Sequence, residues 1–164
     1  MKIISGGQTG VDRAALDVAL ELGLQCGGFC PKRRRAEDGS ISKRYPLVET
    51  KEYSYHTRTR KNIEEADATL VITRGLPTTG TLLTIILAAK LGKPAFLVNP
   101  SRGLEQLTQR IQIWIDNGGF QVINIAGPRL SKDPEIYKLA YDLIKRIFAI
   151  YKNKLNKKQA SDLF

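Results

Sequence analysis

The first segment of this sequence that could do chemistry is the loop GGQTG, residues 6–10, which follows an apolar run and precedes a helical pattern. Its glycines permit positive φ angles and close approach of the backbone to a ligand, and the following helix presents unpaired N–H groups. The loop lacks the G-x-G-x-x-G spacing of dinucleotide sites and the Lys-Ser/Thr pair of a P-loop. Asp12 could satisfy the helix dipole by itself, so the loop fits a plain turn and an anion cradle equally well.

Three further segments bring cations or hydrogen-bond donors to the ends of predicted strands. Residues 74–81, RGLPTTGT, feed a helix N-terminus, where three threonine hydroxyls could bind phosphate oxygens or only cap the helix. Gly127-Pro128-Arg129 follows the last predicted strand. KRRR at 32–35 follows the second, where a dinucleotide enzyme would carry an acidic residue. Together with GGQTG, these segments predict an anion-binding site at one edge of a sheet.

Candidates for catalysis are few. The one histidine, His56, stands alone at a predicted helix start, and no set of nucleophile, histidine and acid can be assembled. Glu37 and Asp38 lie beside the basic run, where they could pair with arginines, bind a hydrated cation or act as acid and base. Cys26 and Cys30 lack a second ligand pair for zinc, so we expect reduced thiols and no metal site.

The elements that must position these residues alternate along the chain. Apolar runs predict strands at 3–5, 25–30, 68–73, 95–98 and 121–126, and helical patterns occupy 11–22, 55–66, 81–91, 102–117 and 133–152. Residues 31–53 form a long polar loop with proline and glycine breakers, and Asp133-Pro134 predicts the N-cap and first position of the last helix. Because such alternation builds βαβ crossovers, we expect an α/β fold with a doubly wound, mostly parallel sheet of about five strands.

Length and composition limit the class of protein. The 164 residues fit one domain, which we place at 1–152, with the basic segment 153–164 as a helix end or tail. No apolar stretch reaches the roughly 18 residues of a membrane span, and no signal-peptide core is visible, so we expect no membrane partner and a cytoplasmic location. The net charge of +10 favours anionic partners. Nucleic acid is disfavoured, because 7% of residues are aromatic and no stacking cluster is predicted near the basic loop.

The helix predicted after Gly80, TLLTIILAAK, is apolar around most of its circumference. A helix of this kind is buried either in the core or against another subunit. One domain of this size offers little room to bury it completely, so we expect a homo-oligomer, a dimer or a tetramer.

Several of these segments together resemble a known family. IISGGQTGVDRAALDVALELG, CPKRRRAEDG, TRTRKNIEEADATLVITRG, GTLLT and INIAGPR are similar to the molybdenum carrier proteins, which belong to a wider Rossmann-like group that includes the lysine-decarboxylase-like, lonely-guy phosphoribohydrolases. The resemblance covers about residues 2–148. It implies a Rossmann-like fold, oligomers, and protection and delivery of the molybdenum cofactor, with a molybdoenzyme as acceptor. The pterin phosphate of that cofactor would need a cationic, donor-rich pocket.

By matching position, the resemblance assigns ligand-binding residues in every segment: Gly6, Gly7, Gln8, Thr9, Gly10, Asp12, Lys32, Arg34, Arg35, Glu37, Asp38, Arg58, Asn62, Gly80, Thr81, Gly127, Pro128 and Arg129. Arg33 and Thr79 depart from the family pattern, which commonly has glycine at both positions. The phosphoribohydrolases carry a glutamate three residues after the Gly-Thr pair. Thr84 stands there in this chain, so their glycosidic hydrolysis is not expected.

The sequence therefore leads to three hypotheses. The first is a carrier that binds a phosphorylated pterin or a nucleotide-like anionic ligand without turnover. The second is an enzyme acting on a nucleotide or its N-glycosidic bond, with Glu37 or Asp38 as acid or base. The third is an oligomeric nucleotide-sensing module that uses the same pocket and a partner protein.

Overall fold

Strands and helices alternate through most of the chain. The computed structural model describes residues 1–161, with side chains described for residues 1–152. The strands are β1 (Lys2–Ile4), β2 (Gln25–Gly27), β3 (Phe29–Cys30), β4 (Arg35–Ala36), β5 (Gly39–Ser40), β6 (Val48–Glu49), β7 (Ala68–Ile72), β8 (Ala95–Val98) and β9 (Val122–Ala126). The helices are α1 (Val11–Leu22), α2 (Tyr55–Glu65), α3 (Thr79–Lys90), α4 (Leu104–Gly118) and α5 (Ile136–Ser161), and a short 3-10 helix spans Lys32–Arg34.

Five of the strands form one parallel sheet in the order β2-β1-β9-β7-β8. Helices α1, α4 and α5 pack on one face, and α2 and α3 pack on the other. Strand β7 is buried at every position because helices cover both faces of the sheet, which explains its uninterrupted apolar sequence. The expected α/β fold with about five parallel strands is confirmed.

The main core lies between the sheet and the first of these helix layers. Ile3, Leu70 and Ile123 project from neighbouring strands and are fully buried against Val18 of α1 and Ile144 of α5. These side chains come from the first and last thirds of the chain as well as its middle. The core therefore joins the sequence into one layered unit that holds the strand ends in place.

The segment after β2 is more structured than the predicted polar loop. The single strand predicted at 25–30 is divided at Gly28, whose φ of +123° turns the chain out of the main sheet. Beyond this break, β3 pairs with β6, and β4 pairs with β5 in a short hairpin. Ile41 and Tyr45 anchor this subassembly in a small core of its own.

Two further predictions differ from the structure at helix ends. Helix α5 begins at Ile136, three residues after Asp133, although the Asp133 carboxylate accepts from the Glu135 N–H at 3.2 Å as the predicted N-cap would, and also binds Arg74. The backbone of α5 continues to Ser161, whereas the side chains beyond 152 and residues 162–164 lie outside the described part of the chain. The division into a domain at 1–152 and a basic end therefore stays a prediction.

Helix α3 is only partly covered in the monomer. Thr81, Thr84, Leu87 and Ala88 are buried, whereas Leu82 and Ile86 are 45% and 41% exposed. The helix thus keeps an apolar face towards the outside. None of the helices in the described region is long and apolar enough to cross a bilayer.

Candidate functional site

A cavity of about 570 Å³ opens at the carboxyl ends of β7 and β9. Helix α5 follows β9 on one face of the sheet, and α3 follows β7 on the opposite face, so the two chain segments diverge and leave a crevice. Parallel sheets of this kind bind ligands at such a switch point. The volume lies within the range of small-molecule sites.

Four segments of the chain build the cavity. They contribute polar and charged side chains from the first loop, from the start of α2 and from the loop after β9, and apolar side chains from α3. The lining residues are Gln8, Asp12, Tyr55, Arg58, Thr59, Thr78, Thr79, Gly80, Thr81, Leu82, Leu83, Thr84, Ile86, Ala126, Gly127, Pro128, Arg129 and Lys132.

A buried ion pair forms the floor of this cavity. Asp12 is 3% exposed, and its Oδ2 accepts from Arg58 Nη1 at 3.0 Å and from the Gln8 N–H at 3.3 Å. Burial raises the pKa of Asp12, and the Arg58 charge opposes that rise. Arg58 Nε is also buried but has no hydrogen-bond partner among the described residues. This unpaired guanidinium donor is costly, and it is shielded from the cavity as well.

The GGQTG loop is buried along its whole length. A side chain at Gly6 would collide with Arg58, since an added Cβ would lie 1.7 Å from Nη1. Gly10 has a φ of +79°, and an added Cβ there would lie 2.3 Å from the Pro128 carbonyl oxygen. The space that these glycines leave is therefore filled by the protein's own guanidinium and backbone.

The start of α3 differs from the GGQTG loop, because its first residues are exposed at the cavity and not buried. Thr78, Thr79 and Gly80 are exposed at the cavity, and the Thr78 hydroxyl does not cap the helix. The Thr78 and Thr79 hydroxyls bond no described residue, whereas the Thr84 hydroxyl donates to the Gly80 carbonyl at 3.1 Å. The start of α3 thus presents donors to the cavity at the positive end of a helix dipole.

Glu37 joins the first loop to the segment after β9. Its carboxylate accepts from the hydroxyls of Thr9 and Ser131 and from the Ser131 N–H at 3.1 Å, and Arg129 Nε lies 3.5 Å away. Partial burial tends to raise the pKa of Glu37, but these hydrogen bonds and the Arg129 charge outweigh it and hold the pKa below its ordinary value. Glu37 is therefore a carboxylate near neutral pH.

Asp38 is also committed to a partner inside the protein. Its two oxygens accept from the two terminal nitrogens of Arg13 at 2.9 and 3.0 Å. Hydrogen bonding to Arg13 lowers the pKa of Asp38 and outweighs partial desolvation. The two carboxylates beside the basic run thus act in hydrogen-bonded ion pairs, and neither lines the cavity.

The basic run 32–35 lies outside the cavity. Arg34 donates to the backbone carbonyls of Ile41, Ser42, Tyr45 and Leu47 at 2.8 to 3.1 Å, so its guanidinium holds the 41–47 segment. Such a saturated guanidinium has little left to offer a ligand.

The other cations of the run contact tyrosines. Lys32 and Arg33 lie over the Tyr53 ring, and Arg35 lies 5.3 Å from the centroid of the Tyr55 ring. The sequence predicts no stacking cluster near the basic loop, and the structure adds two tyrosines there that contact cations. The tyrosines follow twenty residues later in the sequence, and the fold brings them back against the loop.

The structure brings together only part of the predicted set. Gln8, Asp12, Arg58, Gly80, Thr81, Gly127, Pro128 and Arg129 line the cavity. Gly6, Gly7, Thr9, Gly10, Lys32, Arg34, Arg35, Glu37, Asp38 and Asn62 are not among the lining residues. Asn62, for example, is buried and pairs its amide with the N–H and carbonyl of Phe29 at 2.7 and 3.0 Å.

Sequence reasoning missed several lining residues that helical spacing could have found. On α2, Tyr55 lies three residues before Arg58 and four before Thr59, which are the spacings of one helix face. Leu82, Leu83 and Ile86 follow Thr79 at intervals that place them on one side of α3. Lys132 carried no signal, because it stands in a loop without periodicity.

The fold is Rossmann-like, and its cavity combines cations, hydroxyl donors and an apolar wall. The strand order adds a second feature, because counting β9 as the first strand turns the order into 3-2-1-4-5. This is the Rossmann order with its first strand moved to the end of the chain.

Comparison with known proteins agrees with that permuted order. Residues 3–148 match the Circularly permutated YpsA SLOG family, and the chain belongs to this family. The chain is similar to a protein from Syntrophus aciditrophicus SB whose crystal structure at 1.45 Å bears the name "Putative molybdenum carrier protein". The two are 43% identical with a TM-score of 0.88, over 90% of this chain and 94% of the other. No curated protein matches the chain. The family resemblance that the motifs indicate is thus confirmed.

Proposed function

We propose that this protein is a carrier that binds the molybdenum cofactor, or a similar phosphorylated heterocycle, in the cavity between β7 and β9. The observation that carries the proposal is that two cations, Arg129 and Lys132, line one cavity together with the unbonded hydroxyls of Thr78 and Thr79. The name of the similar protein from Syntrophus aciditrophicus supports molybdenum as part of the cargo.

The donor set of the cavity fits a phosphorylated ligand. Arg58, Arg129 and Lys132 supply positive charge, and the exposed Thr78 and Thr79 supply hydroxyl donors at the start of α3. The apolar wall of α3 provides the surface that a planar ring would cover. A phosphate on one end and a heterocycle on the other would each find a suitable wall.

The chain offers its interactions to the organic part of such a cargo. In the part of the chain that the structure describes, no three His, Cys, Asp or Glu side chains are grouped to hold a metal ion. In this proposal molybdenum enters bound to its pterin, and the metal would supply redox chemistry after transfer to an acceptor molybdoenzyme. Arg129 and Lys132 would hold the phosphate, and the wall would shield the ring from water.

Loading the purified protein with molybdenum cofactor released from a molybdoenzyme tests this function. After gel filtration, we expect molybdenum and pterin to co-elute with the wild-type protein and the pterin mass to be unchanged. Arg129→Ala should weaken retention about tenfold, which corresponds to about 1.4 kcal/mol. Arg60→Ala is a control, because Arg60 is exposed, pairs with Glu64 at 2.7 Å and does not line the cavity. Absence of retention, or equal retention by Arg129→Ala, would contradict the proposal.

One observation favours testing the enzymatic alternative as well. Asp12 is the carboxylate among the residues that line the cavity, and burial raises its pKa, as is common for catalytic acids and bases. A hydrolysis assay with nucleoside monophosphates checks this second candidate. Release of free base by the wild-type protein and its loss in Asp12→Asn would replace the carrier function with N-glycosidic hydrolysis.

We also propose that the protein forms a homo-oligomer through α3. Leu82 and Ile86 are large apolar side chains that the monomer leaves about half exposed, and both also line the cavity. Burial of this face in a second copy would remove apolar surface from water. A mass of one protomer by light scattering at micromolar concentration would refute the proposal.

A further inference from the structure

The amide of Gln8 is held in one orientation at the edge of the cavity. Its Oε1 accepts from the Thr9 N–H at 3.0 Å and from the Glu37 N–H at 2.9 Å. Since both partners are backbone donors, the oxygen must face them and the Nε2 group must face away. Gln8 is 8% exposed and lines the cavity, and its Nε2 donates to no described residue.

The carboxylate of Asp12 lies directly beside this amide. Its Oδ2 receives both Arg58 Nη1 and the Gln8 N–H, whereas its Oδ1 accepts from no described residue. Among the side-chain nitrogen and oxygen atoms of the described region that lack a partner, only Arg58 Nε is fully shielded. Asp12 Oδ1 and Gln8 Nε2 also lack a partner in that region, so they are not sealed inside the protein. The cavity wall therefore presents a fixed donor, Gln8 Nε2, next to a fixed acceptor, Asp12 Oδ1.

We propose that Gln8 and Asp12 recognise the 2-amino-4-oxopyrimidine edge that pterins and guanine share. On this edge a carbonyl oxygen stands next to a ring N–H and an amino group. The carbonyl accepts from Gln8 Nε2, and the N–H and amino groups donate to the Asp12 carboxylate. This inference rests on the proposed function and deepens it, since it names the ring that the cavity selects.

The same pair of groups rejects adenine. Adenine presents an amino group where the carbonyl would be, and an unprotonated ring nitrogen where the N–H would be. Gln8 would then face a donor and Asp12 an acceptor, and the buried groups of the site would lose their hydrogen bonds. Sites that hydrogen-bond a ligand discriminate strongly against analogues that lack the matching group.

A ligand series on the wild-type protein tests the inference. We would titrate GMP, IMP, AMP and 6-hydroxymethylpterin monophosphate by calorimetry at one salt concentration. GMP and the pterin should each bind at least about tenfold more tightly than AMP, and IMP, which lacks the amino group, should lie between them. The tighter of GMP and the pterin identifies the source of the ring.

Two variants exchange a donor and an acceptor without changing size. Gln8→Glu keeps an oxygen for the Thr9 and Glu37 N–H groups but replaces the donor Nε2 with an acceptor. Asp12→Asn keeps an oxygen for Arg58 but places a donor at the cavity. Each should lower the ratio of GMP to AMP affinity by about tenfold or more, whereas Asp142→Asn, an exposed change on α5, should leave the ratio unchanged.

The outcomes separate this inference from the function on which it rests. If GMP, the pterin and AMP bind wild-type protein equally, the edge recognition is wrong and the binding function stands. If the ratio is unchanged in a folded Gln8→Glu protein, the assignment to these residues is also wrong. If no probe and no molybdenum cofactor binds, the proposed function fails and the inference fails with it.

Discussion

Two loops of this protein carry glycine and threonine at the junction of a strand and a helix, but they are built for different tasks. Residues 6–10 before α1 are buried, and the side chains of Gln8 and Thr9 bond Glu37 and Leu130 in other parts of the protein. Residues 78–81 at the start of α3 are mostly exposed and border the cavity with unpaired hydroxyls. From their composition alone, either of these two segments could have been the anion-binding site.

The difference lies in what fills the space that glycine leaves. At Gly6 and Gly10, that space holds the Arg58 guanidinium and the Pro128 carbonyl, so these glycines allow the protein to pack against itself. At Gly80, an added Cβ would meet no atom within 4 Å. A glycine-rich loop thus indicates close approach, and only the packed neighbours show whether a ligand or the chain makes it.

The largest effect is expected when the buried carboxylate next to the GGQTG loop is removed. Asp12→Ala leaves the Arg58 guanidinium without its carboxylate in the cavity floor. Breaking a buried pair from one side costs about 3 kcal/mol or more, and we expect a loss of that size in the free energy of unfolding from urea denaturation. An added phosphate-bearing ligand should restore part of it, since a second anion can pair with Arg58. An unchanged unfolding midpoint would show that the pair is unimportant to the fold.

A methyl group at Gly10 should have a comparable or slightly smaller effect. Gly10→Ala forces a non-glycine residue to a φ of +79° and presses its Cβ towards the Pro128 carbonyl oxygen. Backbone strain and overpacking together predict a loss of about 2 to 3 kcal/mol. The measurement is the thermal midpoint by circular dichroism. A stable Gly10→Ala protein would mean that the first loop is looser than its contacts indicate.

The stability of the protein should also depend on pH through Glu37, which accepts from Thr9 of the GGQTG loop. Because its folded-state pKa lies below the ordinary 4.5, the folded protein binds fewer protons than the unfolded chain near that pH, so the Glu37 contribution to stability rises with pH there. Glu37→Gln should cost about 1 kcal/mol at pH 7, and the difference from wild type should shrink as the pH falls through the lowered pKa. Urea unfolding from pH 3 to 7 measures it. A difference that stays constant with pH would exclude an ionic role.

The smallest effect on stability is expected at Gly80, at the start of α3, and it has the opposite sign. Gly80→Ala adds a methyl group in the first turn of α3, where nothing lies within 4 Å, and alanine favours the helix by about 0.5 to 1 kcal/mol. We expect a thermal midpoint about 2 °C higher and weaker binding of GMP, because the methyl group enters the cavity. A destabilised Gly80→Ala protein would remove the contrast between the loops.

Local patterns in the sequence predicted most of the fold. The apolar run 68–73 and the helical spacing in α1 and α4 are local properties, so their elements appear close to the predicted positions. The division of the strand at Gly28 could not be predicted, because it involves a positive φ and a close approach to the Ser5 backbone, a residue far away in the sequence. The strand order was also hidden, since pairing joins distant segments.

The candidate site was only partly predictable for the same reason. Arg58 and Arg34 are both arginines beside polar segments, and the motifs did not distinguish them. In the structure, four carbonyls surround Arg34, whereas Arg58 pairs with Asp12 and lines the cavity. Tyr55 joins the site because α2 packs against the end of β9.

The sequence by itself determined the alternation of strands and helices, the parallel sheet and the edge at which donors and cations collect. It could do so because hydrophobic periodicity acts over a few residues, and because parallel strands bring their carboxyl ends together. Only the tertiary structure decided which of these groups bond other parts of the protein and which line the cavity. That outcome depends on contacts between residues far apart in the chain, such as Gly6 with Arg58 and Thr9 with Glu37.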